Sequence, residues 1–512
     1  MTVTQIFGPP GCGKTTALMD ILEQALQDGI HPSRIAVCSF SRKAINEFLD
    51  RAVARFEVDR KHFPHMRTLH STAFRALGIK RDDVMSKKDY EALGAMLGEM
   101  FSMNVQPEAG MLLPWGHEKG TRYMAIIDRA RYRMVDIEDE WRFHQTYEMT
   151  KAKCRQIKDQ MDLYKKRLFK FDFVDMIEHY VQRIEPPALD LFILDEAQDL
   201  TPLQWEMAKK IASAAERTFT AGDDDQAIHE WSGAEAKSFV EFGDERRILT
   251  QSYRLPKKIF DLSDRIVRRI RTRVPKEYHP TEELGEVHWH TKLSDVSLGT
   301  GSITIMARTN AIAKTLALEV HNMGYYYALS GKPPVTPEKI RALSTWRTLA
   351  AGGEVFLSQI KDLYQNVPKQ GPRAVLKRGA SSLLDAAAAD ERFTMDSLVR
   401  NYGMREDAVD RAAFDVLALG DHLSQYLRRI ELMGEDITKE PRIKIGTIHS
   451  MKGGEDDICV LFTGTNKFIE ETASLEGEHR VFYVGVTRAK RVLHIVQPPI
   501  YDRNHRNYRY EI

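Results

Sequence analysis

The stretch Gly8-Pro9-Pro10-Gly11-Cys12-Gly13-Lys14-Thr15 decides which fold this chain can adopt. It fits the pattern G-x-x-x-x-G-K-[ST], in which glycines allow backbone N–H groups to surround a phosphate. The apolar stretch Thr2–Phe7 precedes it and the helical stretch 16–27 follows it. The loop therefore joins a buried strand to a helix N-terminus, where the helix dipole favours an anion. This context indicates a phosphate-binding loop on a parallel α/β sheet rather than a chance glycine turn.

The same loop provides candidate ligands for a nucleoside triphosphate and its metal ion. Lys14 is predicted to reach the β- and γ-phosphates, and Thr15 is predicted to hold Mg²⁺. The residues predicted to surround the nucleotide here are Gly8, Pro9, Pro10, Gly11, Cys12, Gly13, Lys14, Thr15 and Thr16.

A second apolar stretch ends in two carboxylates. Leu191–Leu194 leads directly into Asp195 and Glu196. Such a strand delivers Asp195 to the metal edge of the sheet, and Glu196 is then placed to orient or deprotonate an attacking water. Alone, an Asp-Glu pair after an apolar run is also typical of a solvated strand end. Together with the phosphate loop, it predicts nucleotide hydrolysis.

The composition bounds the class of protein. The 512 residues suggest three or four domains, and 43% hydrophobic and 29% charged residues are typical of a soluble globular protein. Lys and Arg total 74 against 73 Asp and Glu, so net charge indicates no nucleic-acid partner. The four cysteines form no C-x-x-C pair and indicate free thiols in a reducing compartment. No apolar run approaches the roughly 18 residues of a membrane span, so we expect a cytoplasmic protein without a membrane partner.

Short apolar stretches alternate with helical stretches at both ends of the chain and predict two parallel sheets. The strands predicted for the first sheet are Thr2–Phe7, Arg34–Cys38, Leu191–Leu194 and Arg217–Ala221. Those predicted for the second sheet are Val287–His290, Ser302–Met306, Ile443–Thr447, Ile458–Phe462 and Val492–Val496. Two long helical stretches, at about 80–165 and 331–440, are predicted to be insertions into these sheets.

Further segments, in this order along the chain, carry a family resemblance. They are Ser39–Ala44, Thr68–Ser71, Phe171–Asp175, Ala221–Ala234, Gln251–Pro256, Ala307–Asn310, Lys444–Gly453 and Phe482–Lys490. In all of them the chain resembles superfamily 1A helicases of the UvrD/Rep/PcrA type. The matched blocks run from residue 6 to about 496, whereas the insertions match weakly. The resemblance implies an α/β fold of two RecA-like P-loop domains, each with a mainly helical inserted subdomain, and ATP in the cleft between them.

The resemblance also implies domain boundaries and an activity. RecA-like domain 1A would comprise 1–80 and 166–254 with helical insertion 1B at 81–165. Domain 2A would comprise 255–330 and 441–512 with a reduced helical insertion 2B at 331–440. The implied activity is ATP- and Mg²⁺-dependent travel along single-stranded DNA in the 3′→5′ direction, coupled to duplex unwinding. The implied partners are single-stranded DNA and junctions with duplex DNA, while nuclease, replication or repair proteins are left open as partners.

The resemblance assigns roles in the nucleotide site to residues outside the loop. Arg254 and Arg488 would come from the second domain to the γ-phosphate, where positive charge stabilises the transition state. Tyr253 would stack on the adenine, and Gln198 and Gln226 would sense the γ-phosphate. The catalytic set implied in this way is Lys14, Asp195, Glu196, Gln226, Arg254 and Arg488.

A strand-binding track needs flat faces for bases and donors for phosphates. The candidate base-stacking faces are Phe40, His229 and Trp231, and each good stack contributes about 1–3 kcal/mol. The candidate backbone contacts are Arg42, Thr68, His70, Asn310, Thr447 and His449. For Phe40 and Trp231 the alternative is a place in the hydrophobic core. Two basic clusters, 151–170 and Arg265–Lys276, either extend the track by neutralising phosphates or are solvated helix faces.

The chain departs from the family pattern at several positions. The adenine-reading Gln that precedes the loop in the family has no counterpart here, which leaves base preference open. The family's K-G-L-E-[WF] is Lys452–Asp456, in which Glu455 falls on a ribose-contacting Glu. His229 replaces a Tyr, and 331–440 contains no clear duplex-gripping T-x-G-x-x-[GS] turn.

These departures leave other functions open. One is a single-stranded DNA translocase that strips proteins from DNA or drives a partner nuclease. Another is a nucleotide-regulated DNA-binding subunit of a repair or defence complex, without strong unwinding of its own. RNA as the substrate is a third alternative.

Overall fold

The fold was analysed in a computed structural model that describes residues 2–102, 105–106, 111–112, 118–144, 149–499 and 505–508. Within the predicted insertion 81–165, residues 103–104, 107–110, 113–117 and 145–148 lie outside the described residues. The chain divides into two compact units. Unit 1 contains Met1–Gly285 and Glu471–Thr487, and unit 2 contains Glu286–Glu470 and Arg488–Glu511. The finer six-segment division stays a prediction.

Unit 1 is built on a six-stranded parallel sheet. The strands of unit 1 as a whole are, in chain order, β1 (Thr2–Phe7), β2 (Ile35–Ser39), β3 (His65–Thr68), β4 (Val105–Gln106), β5 (Met111–Leu112), β6 (Leu189–Asp195), β7 (Ala215–Gly222) and β8 (Glu245–Ile248). The sheet has the order β3-β2-β6-β7-β1-β8, while β4 and β5 pair antiparallel with each other. The phosphate-loop strand β1 therefore lies between β7 and β8.

Helices cover both faces of this sheet. The helices of this part of the chain are α1 (Lys14–Gln27), α2 (Arg42–Phe56), α3 (Leu69–Ala76), α4 (Lys87–Leu97), α5 (Lys119–Arg133), α6 (Ile137–His144), α7 (Lys151–Leu168), α8 (Phe173–Arg183), α9 (Pro202–Ser213), α10 (Ala236–Glu241) and α11 (Lys257–Val267). Helices α1 and α2 pack on one face of the sheet, and α3, α8, α9 and α10 pack on the other. Helices α4, α6 and α7 pack with α5 in a separate buried cluster. Phe192 of β6 packs in one buried cluster with Trp205 of α9, and the next residue, Ile193, packs in another with Leu18 of α1. Because successive side chains of a strand point to opposite faces, a strand covered on both sides is apolar at every position.

Unit 2 contains a second six-stranded parallel sheet. The strands of unit 2 as a whole are β9 (Glu286–His290), β10 (Ile303–Ala307), β11 (Tyr327–Leu329), β12 (Val355–Phe356), β13 (Arg392–Phe393), β14 (Ile443–Thr447), β15 (Asp456–Phe462), β16 (Gly464–Asn466), β17 (Ala489–Val496) and β18 (His505–Asn507). The large sheet has the order β11-β14-β10-β15-β17-β9. The pairs β12–β13 and β16–β18 are separate antiparallel ladders.

The helices that follow in the chain are mainly those of the second predicted insertion. They are α12 (Asn310–Met323), α13 (Pro337–Ala350), α14 (Leu357–Asn366), α15 (Ala380–Leu383), α16 (Met395–Asn401), α17 (Ala413–Val416), α18 (Asp421–Leu432), α19 (Lys467–Thr472) and α20 (Leu475–Val486). One buried cluster joins Ile303 and Ile443 of the sheet to Trp346 of α13 and Tyr426 of α18. The insertion therefore shares its core with the sheet of unit 2.

The structure confirms the predicted α/β fold with two parallel sheets. Every predicted strand is present, and β1 and β14 have the predicted bounds. Three short strands of the large sheets, β3, β8 and β11, were not predicted, and each lies at a sheet edge. In the described part of the chain, no helix combines the length and the apolar character needed to cross a membrane.

Candidate active site

The phosphate loop leaves β1 and enters α1 through two glycines in the left-handed backbone region. Gly11 has φ 73°, and Gly13, the N-cap of α1, has φ 77°. A Cβ at Gly8 would lie 2.0 Å from Lys14 Cγ, so that position also requires glycine. Lys14 Nζ donates to the carbonyl oxygen of Gly8 at 2.7 Å. The loop is thus a tight turn with backbone N–H groups and an ammonium group beside it, which is what a phosphate needs.

The two carboxylates lie where β6 ends. Asp195 is the last residue of β6, and Glu196 follows in the left-handed region with φ 52°. Burial, with a further contribution from the Glu196 charge, raises the pKa of Asp195 to about 7, and the charge of Lys14 opposes this shift. The hydroxyl of Thr15 and a carboxylate of Asp195 are hard oxygen donors, which Mg²⁺ prefers. A divalent cation beside Asp195 would favour its ionised form, so these residues fit the ion.

Gln198 connects the end of β6 with the end of β7. Its side chain is fully buried; Nε2 donates to Glu196 Oε2 at 2.6 Å, and Oε1 accepts from the Asp223 N–H at 3.1 Å. A Cβ at Gly222 would lie 2.4 Å from Gln198 Oε1, so the glycine leaves the room that Gln198 occupies. Gln226 Nε2 donates to Asp223 Oδ2 at 2.7 Å. The predicted γ-phosphate sensors Gln198 and Gln226 are therefore joined through Asp223.

Two cations predicted at the surface are held instead in ion pairs with the acidic residues after β7; Lys276 is buried and Arg273 is half-buried. Lys276 Nζ lies 2.5 Å from Asp224 Oδ1 and 2.8 Å from Asp225 Oδ2. Arg273 donates to both oxygens of Asp225 at 2.8 and 2.7 Å. The hypothesis that Arg265–Lys276 forms either a phosphate-binding run or a solvated face is thus wrong for Arg273 and Lys276. The sequence signal was present, because three consecutive aspartates after a buried strand need cations nearby.

The other basic cluster, 151–170, is also partly internal. Lys165 is buried, and its Nζ lies 2.5 Å from Asp172 Oδ2 and 2.8 Å from Asp175 Oδ1. Lys166 and Arg167 on the next positions of α7 are exposed. An internal ion pair was not among the two explanations considered for this cluster, and it accounts for Lys165.

Tyr253 and Arg254 lie against the phosphate loop. The Tyr253 N–H donates to the Gly11 carbonyl at 2.9 Å, and the Tyr253 side chain is 77% exposed. A Cβ at Gly11 would lie 2.3 Å from Arg254 Cβ. Ser252 Oγ donates to the carbonyl of Pro10 at 2.8 Å and anchors the segment. The role assigned to Arg254 placed it in the second domain, whereas the predicted bounds 166–254 placed it in domain 1A; it lies in unit 1, with the loop itself.

The three candidate stacking faces lie next to one another in unit 1. The ring centroid of His229 is 5.1 Å from that of Phe40 and 6.0 Å from that of Trp231. Phe40 is 9% exposed and packs in the cluster of α9, so the core alternative describes most of its surface. His229 and Trp231 are half-buried. Trp231 and His229 therefore present more ring surface to a base than Phe40 does.

The candidate backbone contacts of unit 1 surround the start of α3. Thr68 is the N-cap of α3, where its Oγ1 accepts from the Ser71 N–H at 3.2 Å. His70 is within hydrogen-bond distance of the Tyr132 hydroxyl, at 3.1 Å from Nε2. Burial, with a smaller contribution from the charge of Arg42, lowers the pKa of His70 to about 4. His70 is therefore neutral at physiological pH, and Arg42 is exposed.

The candidate strand contacts of unit 2 follow two neighbouring strands. Ala307 of β10 is the register partner of Thr447 of β14, so both strands end at one edge of the sheet. Asn310 then opens α12 and is exposed, and His449 follows β14 and is half-buried. Thr447 is 9% exposed, and its Oγ1 accepts from the Ser450 N–H at 3.1 Å.

The candidate nucleotide residues of unit 2 are held in ion pairs and hydrogen bonds. Glu455 is exposed, and its Oε1 lies 2.7 Å from Lys490 Nζ. Arg488 is 2% exposed, and its Nη1 donates to the carbonyl of Gly454 at 3.2 Å. These contacts hold the side chains of Glu455 and Arg488 beside the loop that contains Gly454.

A phosphate loop after β1, a carboxylate pair at the end of β6 and a second parallel sheet together define a P-loop ATPase with two RecA-like domains. Residues 2–246 match the model of the UvrD/REP helicase N-terminal domain, and residues 354–497 match that of the UvrD-like helicase C-terminal domain. The chain belongs to the UvrD-like helicase family and is an ATP-hydrolysing helicase.

Individual relatives are distant in sequence. The chain is similar to a putative ATP-dependent DNA helicase, YjcD, of Bacillus subtilis, with 21% identity over 97% of this chain and 78% of the relative. It is similar to a probable DNA helicase II homolog of Mycoplasma capricolum, with 21% identity over 95% and 81%. It is also similar to the ATP-dependent DNA helicase PcrA of Bacillus subtilis, with 22% identity over 65% of this chain and 59% of that protein.

Proposed function

We propose that this protein binds single-stranded DNA, moves along it in the 3′→5′ direction, and couples ATP hydrolysis to duplex unwinding. The observation that carries the proposal is the buried Gln198, which hydrogen-bonds both Glu196 and the backbone of Asp223. One end of this link is the proposed water-activating carboxylate. The other end is Asp223, the first residue of the loop that leads to Trp231. A nucleotide-dependent change at Glu196 therefore has a direct route to the proposed strand contacts.

The proposed nucleotide is ATP with Mg²⁺, which supplies charge neutralisation of the phosphates when bound. Lys14 and the loop N–H groups would hold the phosphates, and Thr15 and Asp195 would hold the ion. Glu196 would take a proton from water, since an ionised carboxylate placed beside the reacting group acts as a general base. We further propose Tyr253 as the adenine contact.

Four more residues keep their proposed roles. Arg254 and Arg488 would stabilise charge on the γ-phosphate, and Gln226 would sense that phosphate. Glu455 would contact the ribose.

The proposed strand contacts are distributed over both units. Unit 1 offers aromatic rings and Arg42, and unit 2 offers the exposed Asn310 and the neighbouring His449. Rings stack on any base, so such a surface binds without sequence preference. We propose that ATP turnover alternates the grip of the two units on the strand, which converts hydrolysis into a step.

Strand displacement from duplexes with one single-stranded tail tests the proposal. Wild-type protein is expected to displace the strand of a 3′-tailed duplex with ATP and Mg²⁺, and to leave a 5′-tailed duplex paired. Lys14→Ala removes the phosphate contact and is expected to abolish displacement.

Displacement from the 5′-tailed duplex alone would contradict the proposed polarity, and equal displacement by Lys14→Ala would contradict the motor itself. DNA-stimulated ATP hydrolysis without displacement would support a translocase. Slow turnover with stable binding would support a nucleotide-regulated binding subunit. An equally efficient RNA strand would widen the substrate class.

A further inference from the structure

A largely buried group of charges after β7 lies outside the residues assigned to the nucleotide or the strand. We call it the triad cluster, and it consists of Asp223, Asp224, Asp225, Arg273 and Lys276. Its three carboxylates have ligand atoms within 4.8 Å of one another, and all three side chains are buried. Like charges this close together and away from water repel, so the cluster requires cations held at the same place.

Lys276 supplies the central cation of the triad cluster. Its Nζ lies 3.3 Å from Asp223 Oδ1, 2.5 Å from Asp224 Oδ1 and 2.8 Å from Asp225 Oδ2. It also donates to the Val274 carbonyl at 3.1 Å. The side chain is 1% exposed, so no DNA phosphate reaches it. The ammonium group thus contacts all three carboxylates at once.

One side of the triad cluster leads to the nucleotide residues. The Asp223 N–H donates to Gln198 Oε1, and Gln198 Nε2 donates to Glu196 Oε2. Asp223 Oδ2 accepts from Gln226 Nε2 at 2.7 Å. Displacement of Asp223 would therefore move both the proposed γ-phosphate sensors and the residue beside the attacking water.

The other side leads to the proposed strand contacts. Arg480 Nε donates to the Asp224 carbonyl at 3.0 Å, and Arg480 Nη1 donates to Glu230 Oε1 at 3.1 Å. Glu230 directly precedes Trp231, whose carbonyl accepts from Arg129 Nη1 at 2.9 Å. The triad cluster and the loop that contains Trp231 are therefore braced together within unit 1.

We propose that Lys276 is a positioning residue that transmits strand binding at Trp231 to Gln226 and Glu196 by holding Asp223–Asp225 in one arrangement. The inference rests on the proposed function above and deepens it. Lys276 contacts neither the proposed nucleotide ligands nor the proposed strand contacts directly. It therefore acts on the stimulation of turnover by DNA rather than on the affinity for nucleotide.

The first test compares Lys276→Met with Lys237→Met. Methionine keeps most of the stem and removes the charge, and Lys237 is an exposed lysine of unit 1 that pairs with Glu241 on α10. The rate of ATP hydrolysis is measured over a range of ATP concentrations, with and without oligothymidylate. In Lys276→Met the ratio of DNA-stimulated to basal kcat is expected to fall by roughly 5–150-fold, the usual range of coupling between two sites. KM for ATP is expected to stay within about twofold, because uniform binding is retained.

This comparison separates positioning from simple loss of folded protein. A smaller folded fraction lowers basal and stimulated rates by the same factor and leaves their ratio unchanged. An unchanged ratio in Lys276→Met would therefore overturn the inference, as would an equal fall in Lys237→Met. Wild-type protein whose turnover does not respond to DNA would overturn the proposed function, and this inference with it.

A charge-balanced variant covers the case in which Lys276→Met folds poorly. Asp224 Oδ2 accepts from the Val274 N–H at 2.7 Å, and an asparagine oxygen can accept the same bond. The double variant Lys276→Met/Asp224→Asn removes one cation and one anion together. We expect its thermal transition to lie above that of Lys276→Met while the ratio of stimulated to basal kcat stays low. A restored ratio would show that charge balance alone matters and would overturn the positioning role.

Discussion

At the scale of single residues, several side chains are defined by the space and charge around them more than by their own chemistry. His70 is an example, because burial beside Tyr132 keeps its ring neutral. Cys12 is another, because burial raises the pKa of its thiol to about 12, while the charges of Lys14 and Arg254 oppose the shift. Sequence motifs identify such residues but not their ionisation.

His70 predicts a specific pH dependence of stability. Its pKa falls from 6.5 to about 4 on folding, so below pH 6.5 the unfolded chain takes up a proton that the folded chain does not. The free energy of unfolding therefore falls as pH is lowered from 6.5 towards 4, by up to about 2 kcal/mol at pH 5 from this residue. We expect His70→Gln to lose less stability than wild type between pH 7 and pH 5 in urea unfolding. Exposed His62→Gln is the control, and an identical loss in wild type and His70→Gln would contradict the assigned burial.

Cys12 predicts low thiol reactivity. All four cysteines are free and buried, and a thiol with a raised pKa contains little of the nucleophilic thiolate at neutral pH. We expect Ellman's reagent to react slowly with the native protein and rapidly after addition of guanidinium. A fast-reacting thiol in native protein that disappears in Cys12→Ser would contradict the burial of the loop.

Gly222 predicts a steric defect in catalysis. A methyl group there would meet Gln198 Oε1 at 2.4 Å and push Gln198 away from Glu196. We expect Gly222→Ala to lower kcat for ATP hydrolysis by roughly 10²-fold, the effect typical of a misplacement of about 1 Å near a reacting group. Gly420→Ala is the matched control, since its added Cβ would meet no atom within 4 Å. Normal kcat in Gly222→Ala would remove the support for the Gln198 link.

At the scale of helices and strands, a strand is easiest to predict from sequence when helices bury both of its faces. The central strand β6 is apolar throughout because helices cover both faces, and such a run is recognised without other information. The edge strand β8, Glu245–Ile248, has three exposed residues out of four, so its sequence does not differ from that of a loop. Pairing with β1, 241 residues away in the chain, makes it a strand. Strand β8 was therefore missed because its cause is tertiary.

In the candidate site too, features set by local sequence were predicted and features set by distant partners were not. The place of the phosphate loop between β1 and α1 and the place of Asp195 at a strand end were predicted from local patterns, because a loop between strand and helix has few solutions. The internal ion pairs of Arg273 and Lys276 were not predicted, since their partners lie about 50 positions earlier in the chain. A basic run without its structure has the same appearance whether it faces solvent or a carboxylate.

Ion pairs that join helices α5, α7 and α8 are expected to stabilise the folded protein. Arg131 of α5 pairs with Asp172 and Asp175 at the start of α8, and Lys165 of α7 pairs with the same two carboxylates. Arg131→Met leaves buried carboxylates with too few cations, which typically costs about 3–5 kcal/mol. We expect a correspondingly lower urea midpoint. Arg142→Met on α6, which breaks an exposed pair with Asp139, is expected to change the midpoint little, and equal midpoints for the two variants would contradict the buried network.

At the scale of the whole molecule, each unit has hydrophobic clusters of its own. The clusters around β6 lie in unit 1, and the cluster around Trp346 lies in unit 2. Separate cores generally unfold in separate steps. A ligand stabilises the unit to which it binds.

Calorimetry is therefore expected to resolve more than one thermal transition. A non-hydrolysable ATP analogue with Mg²⁺ is expected to raise the transition of unit 1, and Lys14→Ala is expected to remove this shift. A single transition that shifts as a whole would show that the units unfold together.

The position of β1 has a consequence for how a new chain matures. Its neighbours are β7 and β8, and Phe7 pairs with Gly222 and Ile248. At ~5–20 residues per second, the ribosome needs about 10–40 seconds between making Phe7 and making Gly222. During that interval the apolar strand has both edges unpaired, and an exposed edge of this kind invites pairing with other chains. We therefore expect co-expression of a chaperone that binds nascent chains to raise the soluble yield of this protein, and an unchanged yield would show that the unpaired segment needs no shielding.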